Sequence, residues 1–227
     1  MQFNIITIFP EMINDYSRKS ILKRGQEGGF ISVQAVDLRK HATNKHKSVD
    51  DTPYGGGPGM VLQAEPIYNA LTSVRAIVRN NIIDKLKKKL SKRKKKTIVL
   101  SPRGRLFTQE VAEEFAKLDE LTMVCGRYEG IDQRVVDNMI DEEISIGNYV
   151  LAGGELAALT ITEATARLIP GVLGNPESII GESHSNDFTA EYPQYTKPID
   201  FKGWKVPDVL LSGHHKKIEE WRKENAK

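Results

Sequence analysis

A strand, a glycine-containing loop and a helix follow one another in the stretch LTMVCGRYEGIDQRVVDNMI, which runs from Leu121 to Ile140. Leu121–Cys125 is a short, mainly apolar run, as expected of a buried strand. The loop Gly126–Asp132 follows directly, and Asp132 is suited to cap a helix that continues to Ile140. Because open parallel sheets bind ligands beyond the carboxyl ends of their strands, this loop is a candidate ligand site. A tight strand-to-helix turn with a purely structural role would show the same sequence pattern.

The same alternation of apolar runs and amphipathic stretches extends over most of the chain. We predict strands over Phe3–Phe9, Ile31–Leu38, Thr97–Ser101, Leu121–Cys125 and Glu143–Ile146. We predict helices over Glu11–Arg24, Glu65–Leu90, Thr108–Leu118, Asp132–Ile140 and Glu155–Ile169, with Thr108 as a capping residue. Strands separated by helices of this length predict an α/β fold in which a parallel sheet is flanked by helices.

A second glycine-rich segment lies between Asp50 and Met60. Its last eight residues, from Pro53, hold four glycines and two prolines around Tyr54. Such a segment cannot form a regular element, and glycines let the backbone approach a ligand closely. One glycine would suggest a structural turn, whereas this density around an aromatic residue favours contact with phosphate or nucleic acid.

A third glycine loop, Ile146–Glu155, leads into the helix predicted from Glu155. Helix N-termini attract anions, but a glutamate in the first turn would repel a phosphate. We therefore expect an uncharged or cationic ligand here. The chain contains neither G-x-G-x-x-G after a strand nor G-x-x-x-x-G-K-[ST], so a Rossmann cofactor site and a P-loop are not expected.

The composition is that of an ordinary globular protein, with 227 residues, 39% hydrophobic and 28% charged. No apolar run approaches the roughly 20 residues that span a bilayer. Cys125 is the only cysteine, which excludes a disulfide framework and a cysteine zinc site. The histidines at 41, 46, 214 and 215 lack metal-ligand spacing. We expect a cytoplasmic protein without a metal site built from these residues.

Positive charge is concentrated in one segment. Lys85–Lys96 holds nine of the 33 basic residues, and the rest of the chain has 24 basic and 30 acidic residues, a net charge of −6. A polyphosphate partner would be attracted to this segment. A solvated charged helix or loop explains the same pattern equally well, and both interpretations stay open here.

The character of the sequence changes after Ile169. Pro170–Gly171 ends the preceding helix, and the polar stretch from Gly174 to Pro198 has the composition of a mobile linker. A last helix is predicted over His215–Asn225. We divide the chain into a main domain (1–172), a linker (173–198) and a small, shortened, mainly helical C-terminal domain (199–227). The residues alone indicate an α/β protein that acts on RNA or a nucleotide.

Several motifs in colinear order carry a more specific resemblance. They are the three glycine loops together with Ile5–Glu11, Ser101–Gly104, Ala166–Gly171, Tyr195–Pro198 and Leu211–His215. From Met1 to about Arg222 the chain resembles the bacterial tRNA (guanine-N1)-methyltransferases of the SPOUT superfamily. The family methylates the guanine just 3′ of the anticodon. Its members usually continue beyond the position that Lys227 occupies here, hence the expectation of a shortened C-terminal domain.

The resemblance implies a fold and a cofactor. The family ties a deep trefoil knot, binds S-adenosylmethionine there in a bent form, and acts as a homodimer with active sites at the interface. It has tRNA, and neither DNA nor a membrane, as its partner. The matching cofactor positions are Leu100, Ser101, Gly126, Tyr128, Glu129, Gly130, Ile146, Gly147, Tyr149, Leu151, Gly153 and Gly154. Glu129 also matches a residue linked to the magnesium dependence seen in the family.

The resemblance also implies catalytic residues. Arg167 matches the arginine that stabilises charge on guanine O6. The family's general base is an aspartate followed by serine, whereas the equivalent stretch here reads GESHSND from Gly181 to Asp187. Alignment from Gly171–Gly174 assigns the base to Glu182, with Asp187 as the competing candidate. Two other functions remain open: a SPOUT enzyme that methylates a ribose 2′-hydroxyl or a ribosomal RNA base, and a non-enzymatic RNA-binding protein.

Overall fold

The computed structural model describes residues 1–77, 93–174 and 190–226. These residues belong to two units, Met1–Gly174 and Asn175–Lys227. Each unit is described below by itself.

Five parallel strands form the central sheet of the first unit. The strands of this unit are β1 (Gln2–Thr7), β2 (Ser32–Asp37), β3 (Asp50–Asp51), β4 (Val61–Leu62), β5 (Lys95–Leu106), β6 (Glu120–Cys125) and β7 (Glu142–Ser145). The sheet has the order β2-β1-β6-β5-β7, and β3 and β4 form a separate antiparallel pair. The central strand β6 is buried along its whole length. The predicted α/β fold with a parallel sheet is confirmed.

Helices cover both faces of this sheet. They are α1 (Pro10–Ser17), α2 (Ser20–Glu27), α3 (Ala64–Ser73), α4 (Gln109–Ala116), α5 (Gln133–Met139) and α6 (Glu155–Ala166). Successive residues of a strand point to opposite faces. Ile5 and Met123 therefore pack in one apolar cluster with α1, α2, α4 and α6, whereas Ile6 and Val124 pack in a second cluster with α3 and α5. Burial on both faces explains why these strands read as apolar runs.

Two predicted helices are shorter than expected. The helix predicted over Glu11–Arg24 is wrong as a single element, because Lys19 is extended and Ser20 has a φ of 49°, which separates α1 from α2. The Gln26 side chain donates to the Ser17 carbonyl at 2.8 Å and closes this turn. The helix predicted over Glu65–Leu90 ends at Ser73, where Arg75 adopts a φ of 58°. Residues 78–90 of that prediction lie outside the described part of the chain.

Three helix termini agree well with prediction. The Thr108 hydroxyl accepts from the Val111 amide at 3.4 Å, and the Asp132 carboxylate accepts from the Arg134 amide at 3.0 Å, so both predicted caps are confirmed. The helix predicted from Glu155 begins there but ends at Ala166 rather than Ile169. None of the helices in the described ranges is long and apolar enough to cross a membrane.

Strand β5 carries an irregularity that shapes the site. Both Leu100 and Arg105 pair with Ile144 of β7, so residues 101–104 are looped out between them. Gly104 brings this loop back against the neighbouring strand, and an added Cβ would lie 2.4 Å from the Glu143 and Ile144 backbone. Only glycine allows so close an approach. The looped-out residues Ser101–Gly104 therefore stand beyond the end of the sheet.

The second unit is described from residue 190 to residue 226. It contains an antiparallel hairpin, β8 (Asp200–Phe201) and β9 (Trp204–Lys205), and the helices α7 (Asp208–Leu211) and α8 (His215–Asn225). The predicted C-terminal helix is thereby confirmed with its bounds. Within the predicted linker, residues 175–189 lie outside the described residues, and residues 190–198 form neither helix nor strand.

Candidate active site

A pocket of about 610 Å³ opens at the carboxyl ends of β5, β6 and β7. This volume is typical of a site for a small organic ligand, and the position is the one expected for a parallel sheet. Three segments form its walls: residues 99–103, residues 126–131 and residues 143–154. The pocket therefore joins the looped-out part of β5 to two of the three glycine loops.

The pocket brings together the twelve positions that the family resemblance assigned to the cofactor. These are Leu100, Ser101, Gly126, Tyr128, Glu129, Gly130, Ile146, Gly147, Tyr149, Leu151, Gly153 and Gly154. Other lining residues had no role assigned from the sequence, among them Arg103, Arg127 and Gln133. Arg127 belongs to the loop Gly126–Asp132, but nothing in the sequence indicates which side chain it pairs with.

Backbone contacts hold the Gly126–Asp132 loop and the Ile146–Glu155 loop together. The Gly154 amide donates to the Gly126 carbonyl at 2.9 Å, and Arg127 and Gly153 form an isolated antiparallel bridge. Gly126 in turn lies close to β5, because an added Cβ would be 3.3 Å from the Leu100 carbonyl oxygen. The absence of side chains at these positions lets three backbone segments meet at the base of the pocket.

Gly154 is a position where a side chain would meet unyielding atoms. An added Cβ would lie 2.8 Å from the Cys125 Cα and 3.1 Å from the Gly126 nitrogen. We expect Gly154→Ala to lower the free energy of unfolding by about 1–3 kcal/mol, as overpacking of a core does. Urea unfolding measures this change. Gly174→Ala is the matched control, because among the described residues a Cβ there has no neighbour within 4 Å. Equal loss of stability in the two variants would refute the expectation.

The glycine-rich segment between β3 and β4 adjoins the pocket from outside. Tyr54 at its tip is fully exposed. The Glu129 amide donates to the Met60 carbonyl, and the Leu62 amide donates to the Gly130 carbonyl, both at 3.0 Å. The Glu129 side chain lies over Gly59, where an added Cβ would be 2.6 Å from its Oε1. The segment is thus fixed to the Gly126–Asp132 loop, with its aromatic tip facing solvent.

Glu155 does not act on the ligand in the way that its place in the sequence suggested. The side chain is 1% exposed and is absent from the pocket lining. Its Oε2 accepts from Arg127 Nε at 3.0 Å and forms an ion pair with Arg127 Nη2 at 2.9 Å, while its Oε1 accepts from the Thr7 hydroxyl at 2.7 Å. The carboxylate is therefore not free to select the ligand, because Arg127 neutralises it inside the protein. The expected uncharged or cationic ligand stays a prediction.

Titratable groups near the pocket have shifted pKa values. Burial raises the pKa of the Cys125 thiol well above its ordinary value, and the thiol is 2% exposed, so it is neutral and poorly placed for nucleophilic chemistry. The hydrogen bond from the Arg134 side chain lowers the pKa of Asp132, which keeps the cap of α5 ionised. Among the described residues, no group of three or more His, Cys, Asp or Glu side chains could hold a metal ion.

Comparison with known families decides the classification. Residues 1–227 match the family described as tRNA (Guanine-1)-methyltransferase TrmD. The chain belongs to this family. The resemblance inferred from the colinear motifs is thereby confirmed over the whole chain.

Individual relatives within the TrmD family give the same result. A protein of Shouchella clausii is 48% identical over 226 residues, which are 100% of this chain and 86% of the relative. One from Chloroflexus aurantiacus is 49% identical over 223 residues, 98% of this chain and 82% of the relative. One from Ruminiclostridium cellulolyticum is 45% identical over 226 residues, 100% of this chain and 91% of the relative. Each is named tRNA (guanine-N(1)-)-methyltransferase.

Of the three catalytic candidates in the TrmD motif pattern, the structure describes only Arg167. Arg167 follows α6 as its C-cap, is half-buried, and does not line the pocket of its own chain. Glu182 and Asp187 lie outside the described residues. Within the described residues, the structure therefore brings the twelve cofactor positions together but does not place Arg167 among them.

Proposed function

We infer that this protein transfers a methyl group from S-adenosylmethionine to N1 of guanine 37 in tRNA, the nucleotide 3′ of the anticodon. The observation that carries the proposal is the pocket at the sheet end, which gathers every cofactor position of the TrmD pattern. Membership of the family over residues 1–227 supports the choice of reaction. We place the enzyme in the cytoplasm, with tRNA rather than DNA or a membrane as its partner.

The residues of the pocket fit S-adenosylmethionine. Gly126, Gly153 and Gly154 expose backbone at its base, and Leu100 and Ile146 offer apolar walls, as adenine and thioether groups require. When bound, the cofactor supplies a methyl group that its sulfonium has already activated. The described residues do not form a magnesium site by themselves, and no step below depends on that ion.

Proton removal from guanine N1 is the chemical difficulty of the reaction. In neutral guanine N1 carries a proton and is a weak nucleophile. We assign the Glu182 carboxylate to accept this proton, a general-base role. The bond from N1 to the methyl carbon would form as the methyl–sulfur bond breaks, and the sulfur would leave as a neutral thioether. Negative charge develops on O6 as the proton leaves, and the Arg167 guanidinium is assigned to donate hydrogen bonds to it. The remaining acceleration comes from holding the two reactants in line.

We propose a homodimer in which each active site uses both chains. Arg167 does not line its own chain's pocket, which is what a site completed by a partner would require. Exposed apolar side chains near the pocket support the same proposal, since Val150 is 82% exposed and Leu156 54% exposed. We also propose a deep trefoil knot near the C-terminal part of the main domain. The division into a main domain (1–172), a linker (173–198) and a small, mainly helical C-terminal domain (199–227) likewise remains a proposal.

A panel of RNA substrates tests the proposed function. The protein is incubated with S-adenosylmethionine carrying a labelled methyl group and one of three RNAs: a tRNA transcript with G37, the same transcript with A37, or a ribosomal RNA fragment. We expect label in the first RNA only. Label in the other RNAs would instead indicate another SPOUT methyltransferase. RNA binding without any transfer would indicate the non-enzymatic alternative.

Two lysines of the basic segment Lys85–Lys96 are already ion-paired within the sheet. Lys95 and Lys96 belong to β5 and are ion-paired, Lys95 with Glu120 at 2.8 Å and Lys96 with Glu142 at 2.6 Å. These two lysines therefore support the sheet rather than offering charge to a partner. Residues 85–92 of the segment lie outside the described residues. The proposed contact with tRNA phosphates is accordingly restricted to the part before β5.

Removing charge from that part is expected to weaken tRNA binding. We expect Lys87→Gln/Lys88→Gln to reduce affinity and to lower the slope of log K against log salt by about 0.7–0.9 for each phosphate that the variant no longer neutralises. Fluorescence anisotropy with labelled tRNA over a salt series measures both quantities. Lys23→Gln/Lys117→Gln is the matched control, since it removes two exposed lysines from other positions. A slope unchanged from wild type would exclude an interaction between these lysines and the tRNA phosphates.

A further inference from the structure

An ion pair lies directly behind the two glycine loops of the pocket. Glu155 lies in the first turn of α6, and its carboxylate is buried. This carboxylate accepts a hydrogen bond from Arg127 Nε at 3.0 Å and forms an ion pair with Arg127 Nη2 at 2.9 Å. Thr7 at the end of β1 donates to the other carboxylate oxygen, at 2.7 Å. One glutamate thus connects the end of β1, the loop after β6 and the start of α6.

The third glycine loop is shaped around the Arg127 side chain. An added Cβ at Gly153 would lie 2.0 Å from Arg127 Nε, so the guanidinium occupies the space that any side chain there would need. The Phe9 ring lies on the same guanidinium, whose Cζ is 4.6 Å from the ring centroid. Arg127 is therefore confined between Phe9, Glu155 and the backbone of Gly153.

A contribution to folding stability does not by itself explain the buried Arg127–Glu155 ion pair. Removing two charges from water costs free energy that their mutual attraction often fails to recover, and apolar replacements of similar volume are frequently neutral or stabilising. The Glu155 side chain is 1% exposed and that of Arg127 is 21% exposed. A directional, two-point contact does, however, fix the relative position of the segments that carry it.

We propose that Arg127 and Glu155 are positioning residues, which hold the 126–130 and 147–154 loops in the arrangement that binds the methyl donor. The identity of that ligand rests on the proposed function. The ion pair does not contact the ligand through Glu155, which is absent from the pocket lining. It acts by keeping Gly153 and Gly154 against Gly126 at the base of the pocket.

The double variant Arg127→Met/Glu155→Leu separates this role from a merely structural one. Each single variant leaves a buried charge unpaired and is expected to be less stable than wild type. The double variant removes both charges and is expected to regain most of the thermal stability. Its affinity for S-adenosylmethionine, measured by calorimetry, is expected to stay reduced by about tenfold or more, as when a tenth of the molecules hold the competent arrangement.

Lys95→Met/Glu120→Leu provides the matched control. The Glu120 carboxylate is likewise buried and lies 2.8 Å from the ammonium of Lys95, which is itself exposed, but this pair joins the amino-terminal ends of β5 and β6, away from the pocket. The control is expected to bind S-adenosylmethionine as wild type does. If it loses affinity as the pocket pair does, the effect is general to ion pairs with a buried carboxylate and the positioning role is overturned.

Hydrogen exchange gives a readout that does not depend on the ligand. Backbone amides of residues 147–154 are expected to exchange faster in the folded Arg127→Met/Glu155→Leu variant than in wild type. Wild-type exchange and wild-type affinity in that variant would overturn the positioning role. Absence of methyl transfer by the wild-type protein would instead overturn the proposed function, whereas the exchange result would still decide the role of the ion pair.

Discussion

Replacing Glu182 by glutamine is expected to slow single-turnover methyl transfer by about 10²–10⁴-fold, the usual contribution of a general base. Glutamine keeps the size and polarity of the side chain but cannot accept the N1 proton. Affinity for S-adenosylmethionine is expected to remain at the wild-type level, because Glu182 is outside the twelve cofactor positions. Rapid-quench transfer to a tRNA transcript with G36 and G37, with enzyme in excess, measures the rate.

Asp187→Asn is the matched control for this experiment. It makes the same carboxylate-to-amide change five residues later in the same stretch. We expect it to leave the single-turnover rate close to that of wild type. A large loss of single-turnover rate in Asp187→Asn, together with a small loss in Glu182→Gln, would identify Asp187 as the general base. The alignment from Gly171–Gly174 would then be wrong.

Arg167→Ala is expected to reduce the rate of transfer by about 10²–10³-fold, the usual cost of removing one donor to a developing oxyanion. The charge on O6 exists only as the proton leaves N1, so the interaction strengthens in the transition state. The loss should therefore appear in the single-turnover rate at saturating tRNA, with little change in tRNA affinity.

Arg167→Lys distinguishes charge from geometry at this position. Lysine keeps the positive charge but lacks the planar fork of donors, so we expect it to recover only part of the lost rate. Arg24→Ala, an exposed arginine in α2, serves as the control and should transfer at the wild-type rate. A wild-type rate in Arg167→Ala would remove this residue from the mechanism.

The sheet and the position of the site were predictable from the sequence because both depend on local pattern. Strands buried on both faces, such as β6, appear as short apolar runs, and their carboxyl ends meet at one edge of a parallel sheet. The capping side chains Thr108 and Asp132 could be recognised because their hydrogen bonds span only two or three residues.

Features that depend on distant partners could not be predicted. The break between α1 and α2 contains neither glycine nor proline, and it is closed by Gln26 reaching back to Ser17. The role of Glu155 was misjudged because Arg127 and Thr7, 28 and 148 residues away, take up its two oxygens. Local charge rules treat such a side chain as free, whereas the fold decides which group it meets.

The position of the transferred methyl group tests the central claim most directly. A G36 G37 transcript is treated with the protein and S-adenosylmethionine under single-turnover conditions, digested to nucleosides, and analysed by mass spectrometry against standards. We expect one N1-methylguanosine per transcript and none when position 37 is adenine. A ribose-methylated nucleoside, or no methylated nucleoside from an active preparation of folded protein, would contradict transfer to N1 of guanine 37.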